Sequence, residues 1–188
     1  MTDETPSSTG SRTASRALTA ISLVGFMGAG KTTVGRALAA RLGWAFADLD
    51  DLVQARDGRT IPEIFNNSGE KFFRSLEQQV LQDFVSSSQV KASVLSLGGG
   101  AFIDNTNQQL LRENGIPAVF LDASAEELFR RCQQPGVDRP LLSDRNGFSA
   151  LYERRRPAYM NAAFRIQTAG REIASIVDEI MTRLGLGL

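Results

Sequence analysis

The sequence predicts one α/β domain in which helices cover a parallel β-sheet, and two observations support this fold class. Short apolar runs alternate along the chain with longer segments of helical periodicity, which is typical of parallel sheets. The 188 residues suit one domain, and a hydrophobic fraction of 42% is enough for a sizeable core. The domain is expected at 18–188. Residues 1–17 are rich in Ser and Thr, and we expect a disordered tail there rather than a secretory signal.

The strands and helices follow in order from local signals. Strands are predicted at about 20–24, 44–47, 93–97, 118–121 and 164–168. Helices are predicted at about 31–42, 70–85 and 107–114, with others starting near 60 and 124 and others ending near 156 and 184. Gly43 and Gly115 each stop a helix. The segments Thr60–Glu63 and Ser124–Glu127 have the capping-box pattern that is typical of the start of a helix.

The long helix predicted at 70–85 has one apolar face. The side chains expected to be buried on it are Phe73, Leu76, Val80 and Phe84. Arg74 lies on the opposite face, with Glu70 and Glu77 four residues before it and three after it. Taken alone, these three residues are best interpreted as a surface ion pair that contributes little to stability.

Composition excludes several classes of function. The 21 basic and 21 acidic residues cancel, which predicts neither a nucleic-acid nor a membrane partner. The single cysteine, Cys132, cannot form an intramolecular disulfide, so a reducing compartment, the cytoplasm, is expected. The chain has no histidine, which excludes a Ser-His-Asp triad and any His-bound metal. A general base must therefore be a carboxylate, a lysine or water.

A phosphate-binding loop follows the first predicted strand. Residues 25–32, GFMGAGKT, fit the pattern G-x-x-x-x-G-K-[ST] at every fixed position. Glycines let backbone N–H groups turn towards phosphate oxygens, and the following helix adds its positive dipole end. Lys31 would reach the β- and γ-phosphates, and the Thr32 hydroxyl would ligate Mg²⁺. A chance match is the alternative, and the strand before and helix after the motif disfavour it.

Two aspartates, Asp48 and Asp50, come at the end of the second predicted strand. A period of two would put both on one face of that strand. One could hold Mg²⁺ through water, and the other could accept the proton of a substrate hydroxyl. The alternative is a solvated acidic turn that caps the next helix.

Three segments should meet in one crevice. The phosphate loop, the Asp48/Asp50 pair and Gly98–Gly100 each follow a predicted strand directly. Ligands of parallel α/β sheets bind at the carboxyl ends of the strands. The three glycines indicate a place where backbone approaches a ligand closely. The alternative is an ordinary flexible turn, which three glycines in a row after an apolar strand disfavour.

Several arginines could serve the same crevice. Arg139 lies in a Pro- and Gly-containing segment, 133–146, that is predicted to be a mobile loop, and it could stabilise charge on a transferring phosphoryl group. Arg154–Arg156 precede Pro157 and could simply be a basic helix end. Because Arg grips carboxylates bidentately, several arginines near a phosphate site favour an acceptor that carries an acid and hydroxyls.

The sequence resembles the shikimate kinase family over about residues 18–188. The matching segments, in the family's order, are GFMGAGKTTVGRALA, FADLDDLV, IPEIF, SGEKFFRSLE, SLGGGAF, DRPLL and ERRRPAY. The phosphate loop alone is common to many kinases. The combination of D-x-D, G-E-x-x-F-R-x-x-E and L-G-G-G is specific to the family.

The resemblance implies a nucleotide and metal site. Lys31 would contact the phosphates, Thr32 and Asp48 would hold one Mg²⁺, Arg131 would lie against the adenine, and Arg139 would act from the lid on the phosphates. The implied ATP-binding residues are Gly28, Ala29, Gly30, Lys31, Thr32, Thr33, Arg131 and Arg139. The implied catalytic residues are Lys31, Asp50 and Arg139.

The resemblance also implies an acceptor site. Asp50 would bind the shikimate hydroxyls and act as, or orient, the base. Arg74 and Arg155 would grip the carboxylate, and Gly99 would contact the substrate through its backbone. The implied substrate-binding residues are Asp50, Arg74, Gly98, Gly99, Gly100 and Arg155. The arginine triplet leaves open whether Arg155 or Arg156 takes this role, and the family spacing R-x-P-x-Y selects Arg155.

The implied reaction converts ATP and shikimate into ADP and shikimate 3-phosphate, a step of chorismate and aromatic amino-acid synthesis. The implied architecture is the three-layer P-loop NTPase fold, with a five-stranded parallel sheet flanked by helices, a substrate-binding helical region at 49–78 and a lid at 133–146. We expect a monomer that binds only small molecules.

A gluconate kinase, a nucleoside monophosphate kinase and a catalytically inactive relative are the alternatives. Residues 160–163, Met-Asn-Ala-Ala, depart from the acidic stretch usual in the family, and we assign them to packing.

Overall fold

A five-stranded parallel sheet forms the centre of the protein. The computed structural model describes residues 18–87, 90, 92–133 and 144–186. The strands are β1 (Ala20–Val24), β2 (Ala45–Asp48), β3 (Ser93–Ser96), β4 (Ala118–Asp122) and β5 (Phe164–Gln167), in the spatial order β2-β3-β1-β4-β5. The helices are α1 (Lys31–Leu42), α2 (Leu49–Asp57), α3 (Ile61–Ser86), α4 (Asn105–Glu113), α5 (Ala125–Cys132), α6 (Arg145–Tyr159) and α7 (Ile173–Arg183). The predicted tail, 1–17, lies outside the described residues.

The core surrounds β1, the central strand. Its Ile21 pairs with Val94 of β3, and its Leu23 pairs with Val119 of β4. All five residues of β1 are buried. Since successive side chains of a strand point to opposite faces, helices must cover the sheet on both sides. The predicted α/β fold with a five-stranded parallel sheet is thus confirmed.

The phosphate loop begins a helix that the sequence located to the residue. The first helix, α1, runs from Lys31 to Leu42, and Gly43 ends it in the left-handed conformation at φ 66°. The last helices deviate slightly, because α6 continues through Pro157 to Tyr159 and α7 ends at Arg183.

One helix of the substrate-binding region was missed by local reasoning. After β2, the Asp48 side chain accepts a hydrogen bond from the Asp50 backbone N–H at 3.1 Å and caps α2. Asp50 and Asp51 then lie in the first helical turn, where acidic side chains favour the positive end of the helix dipole. The strand-period argument that placed Asp48 and Asp50 on one strand face was therefore wrong.

The two capping-box predictions have different outcomes. At Thr60 both reciprocal bonds form, and the helix that starts there merges with the next one into α3 across a bend at Gly69 (φ 79°). At Ser124 the side chain caps the Glu127 N–H at 3.3 Å, but the Glu127 carboxylate binds Arg130 and Arg131 instead of returning to the cap.

These elements bring the carboxyl ends of β1, β2 and β3 to one edge of the sheet, where the candidate site lies. In the part of the chain that the structure describes, no helix is both long and apolar enough to cross a membrane.

Candidate active site

The phosphate loop turns through two left-handed glycines. Gly28 has φ 80° and Gly30 has φ 89°, and Gly30 precedes the first residue of α1. A Cβ on Gly28 would lie 2.8 Å from both the Cys132 Sγ and the Leu128 carbonyl oxygen. The loop therefore packs against α5 through the space that this missing side chain leaves.

Lys31 and Thr32 stand at the mouth of this loop. The Lys31 Nζ donates to the Gly25 and Phe26 carbonyls at 3.0 and 3.2 Å, so the ammonium lies over the loop. The Thr32 hydroxyl donates to the Asp48 carboxylate at 3.1 Å. That contact brings together the two side chains that the sequence predicted as metal ligands.

A cavity of about 450 Å³ lies beside the loop and suits a nucleotide. The predicted ATP-binding residues that line it are Gly28, Ala29, Gly30, Lys31, Thr32, Thr33 and Arg131. The Arg131 guanidinium is held by the Glu127 carboxylate at 2.8 Å and the Thr168 carbonyl at 2.9 Å. Sequence reasoning missed Thr168 and Ile173, which also line the cavity, although Thr168 directly follows β5 at the ligand-binding edge of the sheet.

A second cavity of about 450 Å³ adjoins the first and contains the predicted acceptor residues. We call it the acceptor crevice. Its polar lining includes Lys31, Thr32, Asp48, Asp50, Arg74, Gly98, Gly99, Gly100 and Arg155. The predicted convergence of the loop, the aspartates and the three glycines is confirmed as geometry. Sequence reasoning missed the crevice's aromatic wall of Phe65 and Phe73 and its acidic residue Glu77.

Glu77 is a buried partner of Arg74, not a surface one. The residue is 1% exposed, and its Oε2 accepts from the Arg74 Nη1 at 2.8 Å. Its Oε1 has no hydrogen-bond partner among the described residues. Only Glu70, which Arg74 contacts at 3.4 Å, matches the expected exposed pair. The clue in the sequence was the position of Glu77, four residues after Phe73 and three before Val80 on the buried face.

Asp50 and Glu77 bring two carboxylates close together. A Cβ on Gly98 would lie 2.5 Å from the Asp50 Oδ1 and 3.2 Å from the Glu77 Oε1. Burial raises the pKa of Asp50, and the Asp48 charge raises it further, against the opposing effect of Lys31. Burial also raises the pKa of Glu77, which Arg74 partly offsets. The crevice therefore contains acids that hold protons more tightly than ordinary carboxylates.

Glycines 99 and 100 contact the crevice arginines. A Cβ on Gly100 would overlap the Arg74 guanidinium. The Gly99 carbonyl accepts hydrogen bonds from the Tyr159 hydroxyl and, at 3.4 Å, from the Arg155 Nη1. Burial raises the pKa of Tyr159 to about 12, so its hydroxyl stays a donor to Gly99.

The arginine triplet divides between two places. Arg155 lines the acceptor crevice. Arg156 faces away from it and binds the Tyr152 hydroxyl at 3.0 Å and the Asp122 carboxylate at 3.3 Å. The structure thus places Arg155, and not Arg156, where the family spacing predicted. Arg139 and most of the predicted lid, 133–146, lie outside the described residues.

Comparison with known proteins decides the family. The sequence model described as shikimate kinase matches residues 27–185, most of the chain. The chain belongs to the shikimate kinase family. Membership makes it a kinase that uses ATP as co-substrate and phosphorylates shikimate.

Individual relatives agree with that assignment. The shikimate kinase of Persephonella marina is 40% identical over 165 residues, which cover 87% of this chain and 98% of the relative. That of Geobacter sulfurreducens is 44% identical over 163 residues, covering 85% and 87%. A solved shikimate kinase from Acinetobacter baumannii, in complex with shikimate, is 36% identical with a TM-score of 0.81, covering 92% of this chain and 96% of that one.

A gluconokinase from Sinorhizobium meliloti shares the fold alone. It is 20% identical with a TM-score of 0.56 and covers 89% of this chain and 91% of that one.

Gly28→Ala should weaken nucleotide binding, because the methyl group would enter occupied space between the loop and α5. Gly115→Ala is the matched control, since Gly115 also has a positive φ, 68°, but has nothing within 4 Å of the added Cβ. Both variants should melt at a lower temperature than wild type. Only Gly28→Ala should raise the Kd for ADP, by roughly tenfold or more, in isothermal titration. Equal ADP affinities of the two variants would contradict this account of the loop.

Asp50→Asn should raise the melting temperature at neutral pH. Burial raises the pKa of Asp50 in the folded state above its value in the unfolded state, so the native state binds the proton more tightly. Wild-type stability therefore falls as the pH rises from the unfolded-state pKa through the folded-state pKa. The gain should therefore be larger at pH 8 than at pH 5, as measured by thermal melts at both values. Asp51→Asn, on the same helical turn but exposed, is the control and should change little. A destabilised Asp50→Asn would show that the carboxylate is net stabilising.

Proposed function

We propose that the γ-phosphate of ATP is transferred to the 3-hydroxyl of shikimate at the junction of the nucleotide cavity and the acceptor crevice. The observation that carries this proposal is that Lys31 and Thr32 line both cavities. A triphosphate that follows the phosphate loop would therefore end where the crevice begins.

The acceptor's carboxylate would bind the two crevice arginines. Arg74 and Arg155 both line this cavity, and their guanidinium groups match a planar carboxylate. Gly98–Gly100 would let backbone approach the ring of the substrate. This arrangement supports an acceptor with an acid at one end and hydroxyls at the other.

Asp50 would receive the hydroxyl proton. Its raised pKa brings its proton affinity closer to that needed by a base working near neutral pH. In the transfer, the acceptor oxygen bonds to the γ-phosphorus, the bond from that phosphorus to the β–γ bridging oxygen breaks, and the hydroxyl proton moves to Asp50. ADP leaves with the electron pair of the broken bond, and Lys31 would offset the negative charge near the phosphates.

Thr32 and Asp48 would hold one Mg²⁺. They offer a hydroxyl and a carboxylate 3.1 Å apart, which are hard oxygen ligands that suit this ion. The described residues contain no cluster of three or more acidic, Cys or His side chains that could hold a metal. Such a two-residue site fits Mg²⁺, which usually keeps water and phosphate oxygens as its other ligands. When bound, it would neutralise charge on the β- and γ-phosphates.

Two further residues complete the proposal on the nucleotide side. Arg131, fixed by Glu127 and Thr168, would present its guanidinium plane to the adenine. Arg139 would approach the transferring phosphoryl group from the lid. The monomeric state and the location in the cytoplasm stay predictions from the sequence.

The alternatives fit the crevice less well. A nucleoside monophosphate acceptor would bring a dianionic phosphate towards the carboxylates of Asp50 and Glu77. A gluconate acceptor has the support of a fold-level likeness only. An inactive relative would be expected to lack one of the four groups Lys31, Thr32, Asp48 and Asp50, which are all in place.

A coupled assay of ADP release with Mg²⁺-ATP tests the function. Shikimate, gluconate and AMP are compared at equal concentrations, with phosphorus NMR of the product to identify the modified hydroxyl. Turnover with shikimate alone, phosphorylated at the 3-hydroxyl, is the expected result. Silence with all three, in protein that binds ATP, would overturn the proposal.

Arg155→Ala should raise the KM for shikimate about ten- to hundredfold, because a charge-assisted bond to the carboxylate is lost. The KM for ATP should change little. Arg154→Ala is the matched control, since Arg154 is the preceding arginine on α6 and is exposed. Steady-state kinetics with each substrate varied separately measure the effect, and an unchanged shikimate KM in Arg155→Ala would remove Arg155 from the carboxylate site.

A further inference from the structure

A buried carboxylate outside both cavities binds the helix that carries Arg155. Asp122 is the last residue of β4 and is 2% exposed. Its Oδ2 accepts from the Arg165 Nε at 2.7 Å, the Gln167 Nε2 at 3.1 Å and the Arg156 Nη2 at 3.3 Å. The Tyr152 hydroxyl shares its proton between the Asp122 Oδ1 at 3.2 Å and the neighbouring Ala123 carbonyl at 3.0 Å. The phosphoryl-transfer mechanism uses none of these groups.

Two of the four donors come from adjacent turns of α6. Tyr152 and Arg156 are four residues apart and therefore share one face of the helix. They are also bonded to each other, because the Arg156 Nε donates to the Tyr152 hydroxyl at 3.0 Å. Asp122 thus holds α6 at two points along its length.

The turn of α6 that contains Arg155 lacks one backbone hydrogen bond. Pro157 lies inside α6, has no N–H, and cannot donate to the carbonyl of residue 153. The turn that carries Arg155 therefore lacks one of its helical hydrogen bonds. Its rotation about the helix axis depends more than usual on side-chain contacts with the sheet.

We infer that Asp122 is a positioning residue for the shikimate carboxylate site, acting through Arg156 and Tyr152 on α6. Consecutive helical residues point about 100° apart. Holding Arg156 against Asp122 consequently directs Arg155 into the acceptor crevice, where it reaches the Gly99 carbonyl at 3.4 Å. The inference rests on the proposed role of Arg155.

The nucleotide side depends on Asp122 in a different way. The Asp122 backbone carbonyl accepts from the Thr168 N–H at 2.8 Å, and Thr168 in turn holds Arg131. Because that link uses main-chain atoms, side-chain changes in the cluster leave it in place. The effect of breaking the Asp122–Arg156 pair should accordingly be confined to shikimate.

Arg156→Gln and Arg165→Gln separate positioning from general stability. Both remove an ion pair with the same Asp122 carboxylate, but Arg165 lies on β5 and not on α6. Arg156→Gln should raise the KM for shikimate roughly tenfold, with kcat and the KM for ATP changed less than about twofold. Arg165→Gln should leave all three constants as in wild type. Equal shikimate KM values for the two variants would overturn the inference.

A double-mutant cycle tests whether the effect passes through Arg155. In the Arg155→Ala background, adding Arg156→Gln should raise the shikimate KM by less than about twofold, because the group that it positions is already absent. Full additivity would contradict the proposed route. Tyr152→Phe, which keeps the ring and removes only the hydroxyl, should show a smaller KM increase in the same direction if Arg156→Gln folds poorly.

The same assay separates the role of Asp122 from the proposed reaction itself. If wild type phosphorylates shikimate and the Arg156→Gln and Tyr152→Phe variants keep its shikimate KM, only the role of Asp122 is overturned. If wild type does not turn over shikimate, the proposed function fails and this inference fails with it.

Discussion

Glycines at the ends of β1 and β3 leave the space in which the charged side chains of the site lie. At Gly98 a side chain would displace the Asp50 carboxylate, and at Gly100 it would displace the Arg74 guanidinium. At Gly28 it would push the phosphate loop off α5. The charged side chains can approach the glycine backbone this closely only because the Cβ atoms are missing, since protein interiors have little spare volume. Glycines of the phosphate loop and glycines after β3 therefore shape two neighbouring parts of the site, the loop around phosphate and the acceptor crevice beside it.

The acceptor crevice contains both acidic and basic side chains, and burying its carboxylates costs free energy of folding. Burial raises the pKa of both the Asp50 and the Glu77 carboxyl, and the charge of Asp48 raises that of Asp50 further. Arg74 offsets part of that cost through its ion pair with Glu77, and Lys31 offsets part of it at Asp50. Stability given up at such a site is a common feature of enzymes.

Three consecutive arginines of α6 lie in three different environments. Arg154 is exposed, Arg155 lines the crevice, and Arg156 binds Asp122. The difference arises from the 100° rotation per residue, which turns three equal side chains towards solvent, the acceptor crevice and the sheet. Pro157 weakens the backbone at this point, so the contacts of Tyr159 with Gly99 and of Arg156 with Asp122 bear on where Arg155 points.

Local signals in the sequence determined the phosphate loop and the bounds of α1 to the residue. The loop glycines and the glycine that ends the helix each depend only on the conformation of a few neighbouring residues. Local signals also determined that the loop, the aspartates and the three glycines would meet, since parallel strands end at one edge of a sheet. The family spacing also selected Arg155 over Arg156. Local signals misplaced Asp50 on a strand and Glu77 on the surface, and only the tertiary structure decided that Asp50 lies in the first turn of α2 and that Glu77 is buried beside Arg74. Each of these depends on which surfaces are buried against each other, and burial is set by contacts between segments distant in the chain. Glu77 would be solvated on an isolated α3, and it becomes a crevice residue because the end of β3 packs over it.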